Sequence, residues 1–426
     1  MTRQHVGKLG IALAGGGPLG GIYEVGALVA LDEALIGVEL TECDIYVGVS
    51  SGAFVAASLA NGLSPREMHA IFIEDASHGD PFEPELLLRP AFGEFARRFA
   101  QLPRLLNAIA LAYLEKRRGR RLLEPIMRLT HGLPTGLFDN GPIAAYLARQ
   151  FNQPGRTNDF RKLTRRLFIV ATDLDNGRSV PFGAPGFDDV PISEAVKASS
   201  ALPGLYPPAR IGSRDYVDGA LRKTLHASVA LKAGAKLLIC INPIVPFDAE
   251  LAARTGSAPP IRLAERGLTT VLSQTFRSLI SSRMEVGMER YAKDFPDADV
   301  VLFEPARDDT VIFFANMFSY ADRRRLAEHA YRHTRSELRR RADELEPILA
   351  RHGLGLDRRG LADPDRRLRS SAPKQLSALW DSVLPLERTL GALEHVLGRG
   401  GGLQNRSPTR SQGKKRHAAK AASTDA

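Results

Sequence analysis

The sequence predicts an α/β protein built on a mostly parallel sheet with helices packed on its faces. Three observations carry that prediction. Short, almost wholly apolar runs recur at 8–14, 43–49, 166–174 and 236–242, as expected of strands buried on both faces. Segments with apolar residues at helical spacing lie between them. The first two runs also end in glycine-rich turns, Gly15-Gly16-Gly17-Pro18-Leu19-Gly20-Gly21 and Gly48-Val49-Ser50-Ser51-Gly52, each ahead of a helical pattern. Strand–helix–strand–helix order is that of a parallel sheet.

Taken in order, 8–14 reads as the first strand. Ile22, Val25, Leu28, Val29, Ala30 and Leu35 continue it as a helix to about residue 36. Residues 43–49 form a second strand, and 53–59 a short helix stopped by Asn61-Gly62. From about 65 to 140 the chain turns helical and basic. Leu102, Leu105, Leu106, Ile109, Leu111, Ala112 and Leu114 precede Lys116, Arg117, Arg118, Arg120 and Arg121. This insertion reads either as a surface helix with a solvated cationic end or as a cap whose basic face meets anionic lipid.

The α/β pattern resumes at 166–174. A helix is expected from Pro191, a good first helical residue, ending before Pro203. Tyr216-Val217-Asp218-Gly219 reads as a strand breaking into a turn, and 236–242 as another buried strand. Residues 248–260, rich in Ala, Gly and Pro, are expected to link regions. The chain from 261 to 397 reads as mostly helical and arginine-rich, with a strand-like run at 299–303. After Gly398 the basic tail to 426 has almost no large apolar residues and is expected to be disordered. No internal repeat is evident.

At 426 residues the chain exceeds what one hydrophobic core usually organises. Its 44% hydrophobic and 25% charged residues are ordinary for a soluble globular protein. The net charge of +10 favours acidic partners: anionic lipid, nucleic acid or an anionic substrate. Two cysteines, Cys43 and Cys240, make no disulfide framework or zinc cluster and point to a reduced, cytoplasmic setting. Arg3 and Lys8 ahead of 9–14 faintly resemble a signal peptide, but the apolar stretch is short and runs into three glycines. Residues 45–65 are uncharged and long enough to span a bilayer. Gly48, Ser50, Ser51, Gly52, Ser58, Asn61 and Gly62 favour a strand, a turn and a helix there instead. The expectation is a soluble protein with membrane contact at its surface.

Gly15-x-Gly17-x-x-Gly20 satisfies the dinucleotide-binding pattern. That reading also wants an acidic residue at the end of the second strand to hold a ribose. The nearest acids, Glu42 and Asp44, lie at its start, the wrong end of the sheet. The second turn is a G-x-S-x-G elbow, which holds a serine between a strand and a helix. The helix after it is rich in small residues, Ala53, Ala56, Ala57, Ser58 and Ala60, that allow close approach to the sheet. An anion-binding loop at a helix N-terminus beside an exposed serine supplies two of the three parts of acyl transfer. The third is a base.

The loop-then-elbow order resembles the patatin-like phospholipase family, from about residue 8 to 245. Asp218-Gly219-Ala220 is similar to the family's D-G-G or D-G-A aspartate. Ala198-Ser199-Ser200-Ala201-Leu202-Pro203-Gly204, Tyr206-Pro207-Pro208 and Ala171-Thr172-Asp173-Leu174 also look like the family. The resemblance implies a three-layer α/β/α catalytic region over 8–245, with 65–140 as a helical cap, 261–397 as a helical C-terminal region and 398–426 as a tail.

It implies Ser50 as nucleophile, Asp218 as its base, and an oxyanion hole from Gly15, Gly16, Gly17 and Ser51. Gly20, Gly48, Gly52, Gly219 and Ala220 complete the motifs, and no metal or cofactor is needed. The implied substrate is a lipid or lysophospholipid ester. Two positions depart from the family: Pro18-Leu19 where many members carry a basic residue, and Thr224 where many carry asparagine.

A hydroxyl is a poor nucleophile until a base takes its proton. An ordinary carboxylate is a weak base, so Asp218 should sit in a poorly solvated place that raises its proton affinity. His226 offers a Ser-Asp-His alternative, but it lies among Ala227, Val229 and Leu231 and reads as a packed or surface histidine. The same residues would support acyl transfer to an acceptor other than water. A non-catalytic protein anchored to lipid or nucleic acid by Arg406, Arg410, Lys414, Lys415 and Arg416 is the rival from another class. That tail has no aromatic residues to stack on bases, so specific nucleic-acid binding is not expected.

Overall fold

A computed structural model describes residues 7–74, 82–100, 103, 133–315 and 322–368. The apolar cluster and basic run of 102–121 and the tail from 398 lie outside the described residues. The described residues belong to one compact unit.

Ten strands are described: β1 (Lys8–Leu13), β2 (Leu35–Ile36), β3 (Ile45–Gly48), β4 (Arg166–Asp173), β5 (Ser179–Phe182), β6 (Ala209–Ile211), β7 (Arg214–Asp218), β8 (Ala235–Ile241), β9 (Asp299–Phe303) and β10 (Gly355–Leu356). Eight form the central sheet in the order β6-β7-β4-β3-β1-β8-β9, with β5 also paired to β4. The five strands from β4 to β9 in that order are parallel. The β6–β7 edge and β5 are antiparallel. β2 and β10 make a separate antiparallel pair. The helices that matter for the site are α1 (Gly17–Ala34), α2 (Ser51–Ala60), α3 (Pro65–Phe72), α4 (Gly141–Phe151), α5 (Ile192–Ser199), α6 (Ala227–Lys232), α7 (Leu268–Asp294), α8 (Asp322–Arg340) and α9 (Ala342–Arg351).

Side chains alternate across a strand, so each central strand feeds two cores. Leu9, Ile11, Leu13, Tyr46, Leu167, Ile169, Leu237 and Ile239 enter a large cluster with α1 to α5, α8 and α9. Ala12, Ala14, Ile45, Val47, Phe168, Val170, Leu238 and Cys240 enter a second with α6 and α7. The architecture is therefore three layers, helix–sheet–helix, and the long apolar runs follow from burial of both sheet faces. α1 is buried nearly all round, because α8 covers the side turned from the sheet. At their crossing a Cβ on Gly26 would stand 2.3 Å from the Ala327 carbonyl oxygen.

Several boundaries differ from expectation. α1 begins at Gly17, with Pro18 in its first turn, where a missing N–H costs nothing. Pro191 is extended and lies just outside α5. Residues 248–260 are not simply a linker. They contain a helix at Ala249–Thr255, with Asp248 accepting the Leu251 N–H at its start and left-handed Gly256 ending it. The helical pattern expected up to 140 has given way by 133, and Pro90–Phe138 and Gly136–Gly204 form β-bridges. Residues 45–65 are β3, a turn, α2 and the start of α3. Among the described residues no helix is long and apolar enough to cross a membrane.

Candidate active site

β1 and β3 are neighbours, with Leu13 opposite Gly48. The glycine loop and the serine turn therefore leave the sheet side by side, and Val49 N–H donates to Leu13 O at 3.1 Å. Ser50 sits between β3 and α2 at φ 54° and ψ −122°. A non-glycine residue held there stores on the order of 1–3 kcal/mol of strain. Tight packing enforces it. A Cβ on Gly52 would lie 2.5 Å from both the Leu13 and Ala14 carbonyl oxygens, and one on Gly48 2.5 Å from Gly52 O. Gly52→Ala is accordingly expected to destabilise the fold by about 3 kcal/mol. Chemical denaturation would measure it; an unchanged midpoint would contradict the packing.

The A-S-S-A segment at the end of α5 clamps the turn from below. Ser50 N–H donates to Ser199 Oγ at 2.8 Å, and Ser199 Oγ donates to Val170 O at 2.6 Å. Ser200 Oγ donates to Ser50 O at 3.3 Å. Both backbone hydrogen-bonding groups of Ser50 are thus engaged.

The glycine loop lies against Ser50. A Cβ on Gly15 would be 3.0 Å from Ser50 Cβ and 3.7 Å from its Oγ. Gly16 and Gly20 rest on Pro243, which would be 2.7 and 3.0 Å from added Cβ atoms. Gly17 has φ 62°, a left-handed value that suits glycine. Gly17 and Ser51 are the first residues of α1 and α2, where N–H groups have no partner within the helix and face incoming negative charge. Where a basic residue is common in the family, Leu19 is half-buried and packs on the core.

Asp218 ends β7, two strands from β3, and is 2% exposed. Its N–H donates to Ala201 O at 3.0 Å, and Oδ1 accepts the Ala220 N–H at 2.8 Å. The turn crosses β4 at Gly219, whose Cβ, if present, would meet Val170 O at 2.2 Å. That crossing brings Asp218 to Ser50. Burial pushes the Asp218 carboxyl up from the usual carboxylate range to about 6, opposed by the Ala220 hydrogen bond and a side-chain hydrogen bond with Ser50. The raised proton affinity is what a direct base requires.

His226 does not enter a triad geometry. It has φ 47°, is buried at the start of α6, and its Nε2 contacts Gly219 O at 3.2 Å. Burial drives its imidazole down to about 4, so the ring is neutral and braces the Asp218-Gly219 turn. Asp44 accepts the Leu9 N–H at 2.8 Å, a structural task far from any ribose-binding position.

Four contributors escaped the sequence reading or were left there without a role. Ser199 and Ser200 belonged to a noted motif, but their hold on Ser50 spans the sheet. Pro243 carries no local signal at all. Glu24 is wholly buried in α1, and burial pushes its carboxyl well above the usual range, with the Ala14 backbone opposing. The other acids of α1, Asp32 and Glu33, stand in its last turn, so an acid in its apolar middle was the available clue.

Geometry and fold together define an α/β protein with a serine elbow, a glycine loop and a buried carboxyl. Residues 11–231 match the model of the family "Patatin-like phospholipase", and the chain belongs to that family. Uncharacterized NTE family proteins of Mycobacterium tuberculosis and Mycobacterium bovis are 26% identical over 256 residues. The aligned part is 57% of this chain and 31% of each of theirs, so the chain spans about a third of the length of these curated relatives. VipD and ExoU are among the solved structures that are similar. VipD from Legionella pneumophila has 14% identity and a TM-score of 0.33, covering 79% of this chain and 67% of VipD. The type III effector ExoU of Pseudomonas aeruginosa has 16% identity and a TM-score of 0.33, covering 78% and 53%.

Proposed function

We propose that this chain hydrolyses lipid esters, as a phospholipase A or lysophospholipase, through a Ser50–Asp218 dyad. The observation that carries the reading is the meeting of an elbow serine with a buried carboxyl of raised proton affinity. Family membership supports the substrate class. Asp218 takes the Ser50 proton as Oγ attacks the ester carbonyl carbon. The tetrahedral oxyanion is met by backbone N–H groups of the glycine loop and Ser51. The ester C–O bond breaks as Asp218 returns the proton to the leaving oxygen, and an acyl-serine remains. Asp218 then takes a proton from a water that attacks the acyl carbon, and returns it to Ser50 Oγ as the acyl–serine bond breaks and the fatty acid leaves. Every group in this scheme lies within 8–245. The setting we propose is a reduced cytoplasm, with Cys43 and Cys240 both free and buried, and with peripheral contact to anionic membrane.

A fluorophosphonate probe should label folded protein at Ser50, mapped by peptide mass spectrometry, and a phospholipid and lysophospholipid panel should show fatty-acid release. Labelling at another serine, or none, would sink the assignment. The pH profile gives an independent check. A base must be ionised, so kcat/KM should fall about tenfold per unit below a pH of about 6 and level off above it. A soluble ester without ionisable groups is the right substrate; a flat profile from pH 5 to 8 would exclude Asp218 as the base.

A further inference from the structure

α7 runs for 27 residues, about 40 Å, yet Ile280 and Tyr291 are its only fully buried side chains. Its inward face is tied to the surroundings of the candidate active site. Gln274 accepts the Phe247 N–H and donates to Phe247 O, and Arg277 donates to Val245 O. Those two residues belong to the loop that sets Pro243 against Gly16 and Gly20. Further along, Arg283 donates to Leu221 O at 2.8 Å, three residues past Asp218.

The outward face is apolar. Leu268, Leu272, Leu279 and Val286 are 72%, 59%, 56% and 65% exposed. On a helical wheel these four fall within a sector about 40° wide. Single exposed apolar residues are ordinary, but a stripe along one helix face marks a contact surface. Between Glu265 and Glu285 the chain carries Arg266, Arg277 and Arg283 and no acid, with Arg277 turned inward to Val245 O.

We infer that the outward face of α7 docks this chain onto an anionic lipid bilayer. The helix lies flat, with Leu268, Leu272 and Leu279 at the acyl boundary and the exposed Arg266 at the level of the phosphates. The inference deepens the lipid-ester reading, on which it rests, by naming the surface that brings membrane lipid to Ser50. The chain's net charge of +10 and its place in a phospholipase family favour an anionic lipid surface as the occupant.

The test uses the full chain carrying Ser50→Ala, so that binding is read without hydrolysis. Its co-sedimentation with phosphatidylcholine vesicles containing about 30% phosphatidylglycerol is compared with that of a version also carrying Leu272→Glu and Leu279→Glu. The double substitution should weaken partition at least about tenfold, and pure phosphatidylcholine should bind at least about tenfold less. With Ser50 intact, the double variant should hydrolyse a soluble ester within about twofold of the parent, since both sites are exposed. Equal partition of the two proteins, or none by the parent, overturns the proposal. So does a parent dimer in ultracentrifugation that the double substitution dissociates. Failure of the parent to turn over any ester would count against the hydrolase reading alone, because the vesicle comparison contains no catalysis.

Discussion

Ser50→Ala is expected to lower ester hydrolysis by at least about ten-thousand-fold, because no second group can form the acyl intermediate. The fold should survive. Both backbone hydrogen bonds of the elbow, to Ser199 and from Ser200, are made by atoms that alanine retains. The substitution also removes the hydroxyl that lowers the Asp218 proton affinity, so the carboxyl should titrate higher still. Ser50→Gly sharpens the argument. It deletes the same nucleophile while relaxing a backbone at φ 54°, and should gain about 1 kcal/mol in stability. Ester turnover by either variant at anything near the parental rate would remove Ser50 from the mechanism.

Asp218→Asn should cost at least about a thousandfold in rate, since the remaining amide cannot accept the serine proton. Its effect on stability should have the opposite sign. The folded carboxyl binds its proton more tightly than the ordinary value of 3.8, at about 6. Below 3.8 it is protonated both folded and unfolded and contributes nothing. As pH rises from there through about 6, the unfolded state loses its proton first, and stability falls. Above that window the full penalty, about two pK units or roughly 3 kcal/mol, is present. Asparagine removes it and keeps an oxygen for the Ala220 N–H. At pH 8 the variant should therefore melt higher than the parent, by an amount that vanishes near pH 4. A lower melting temperature at pH 8 would mean that the buried charge is compensated by something other than Ala220 and Ser50.

The parts of the fold that could be read in advance were mostly those dictated by burial on both sides. β1, β3, β4 and β8 are largely apolar and buried over four to eight residues, and the edge strand β9, though half-exposed, keeps the apolar run Val300 to Phe303. β5 and β6 left no such trace. They are short antiparallel strands near the β4–β7 edge, with half-exposed positions among their few residues, and long-range pairing creates them. The helix at Ala249–Thr255 was hidden by composition: Ala, Gly and Pro suit a linker equally well until Asp248 caps it and Ala252 is buried. At the candidate site, Ser50, Asp218 and the loop glycines stand out in the sequence through turn motifs, which are local. Those that hold them in place did not, because Ser199, His226 and Pro243 act across the sheet or between loops.

The packing of α8 on α1 bears on how this molecule can be dissected. α1 starts at the glycine loop and needs α8 to cover Val29, Ala30 and the groove at Gly26. β9, from the same later stretch, closes the flank of the sheet beside β8. Cutting the gene where the family match stops would strip the loop-bearing helix of its roof and bare a hydrophobic seam. The smallest piece able to keep its shape is longer than the piece that holds the reacting atoms.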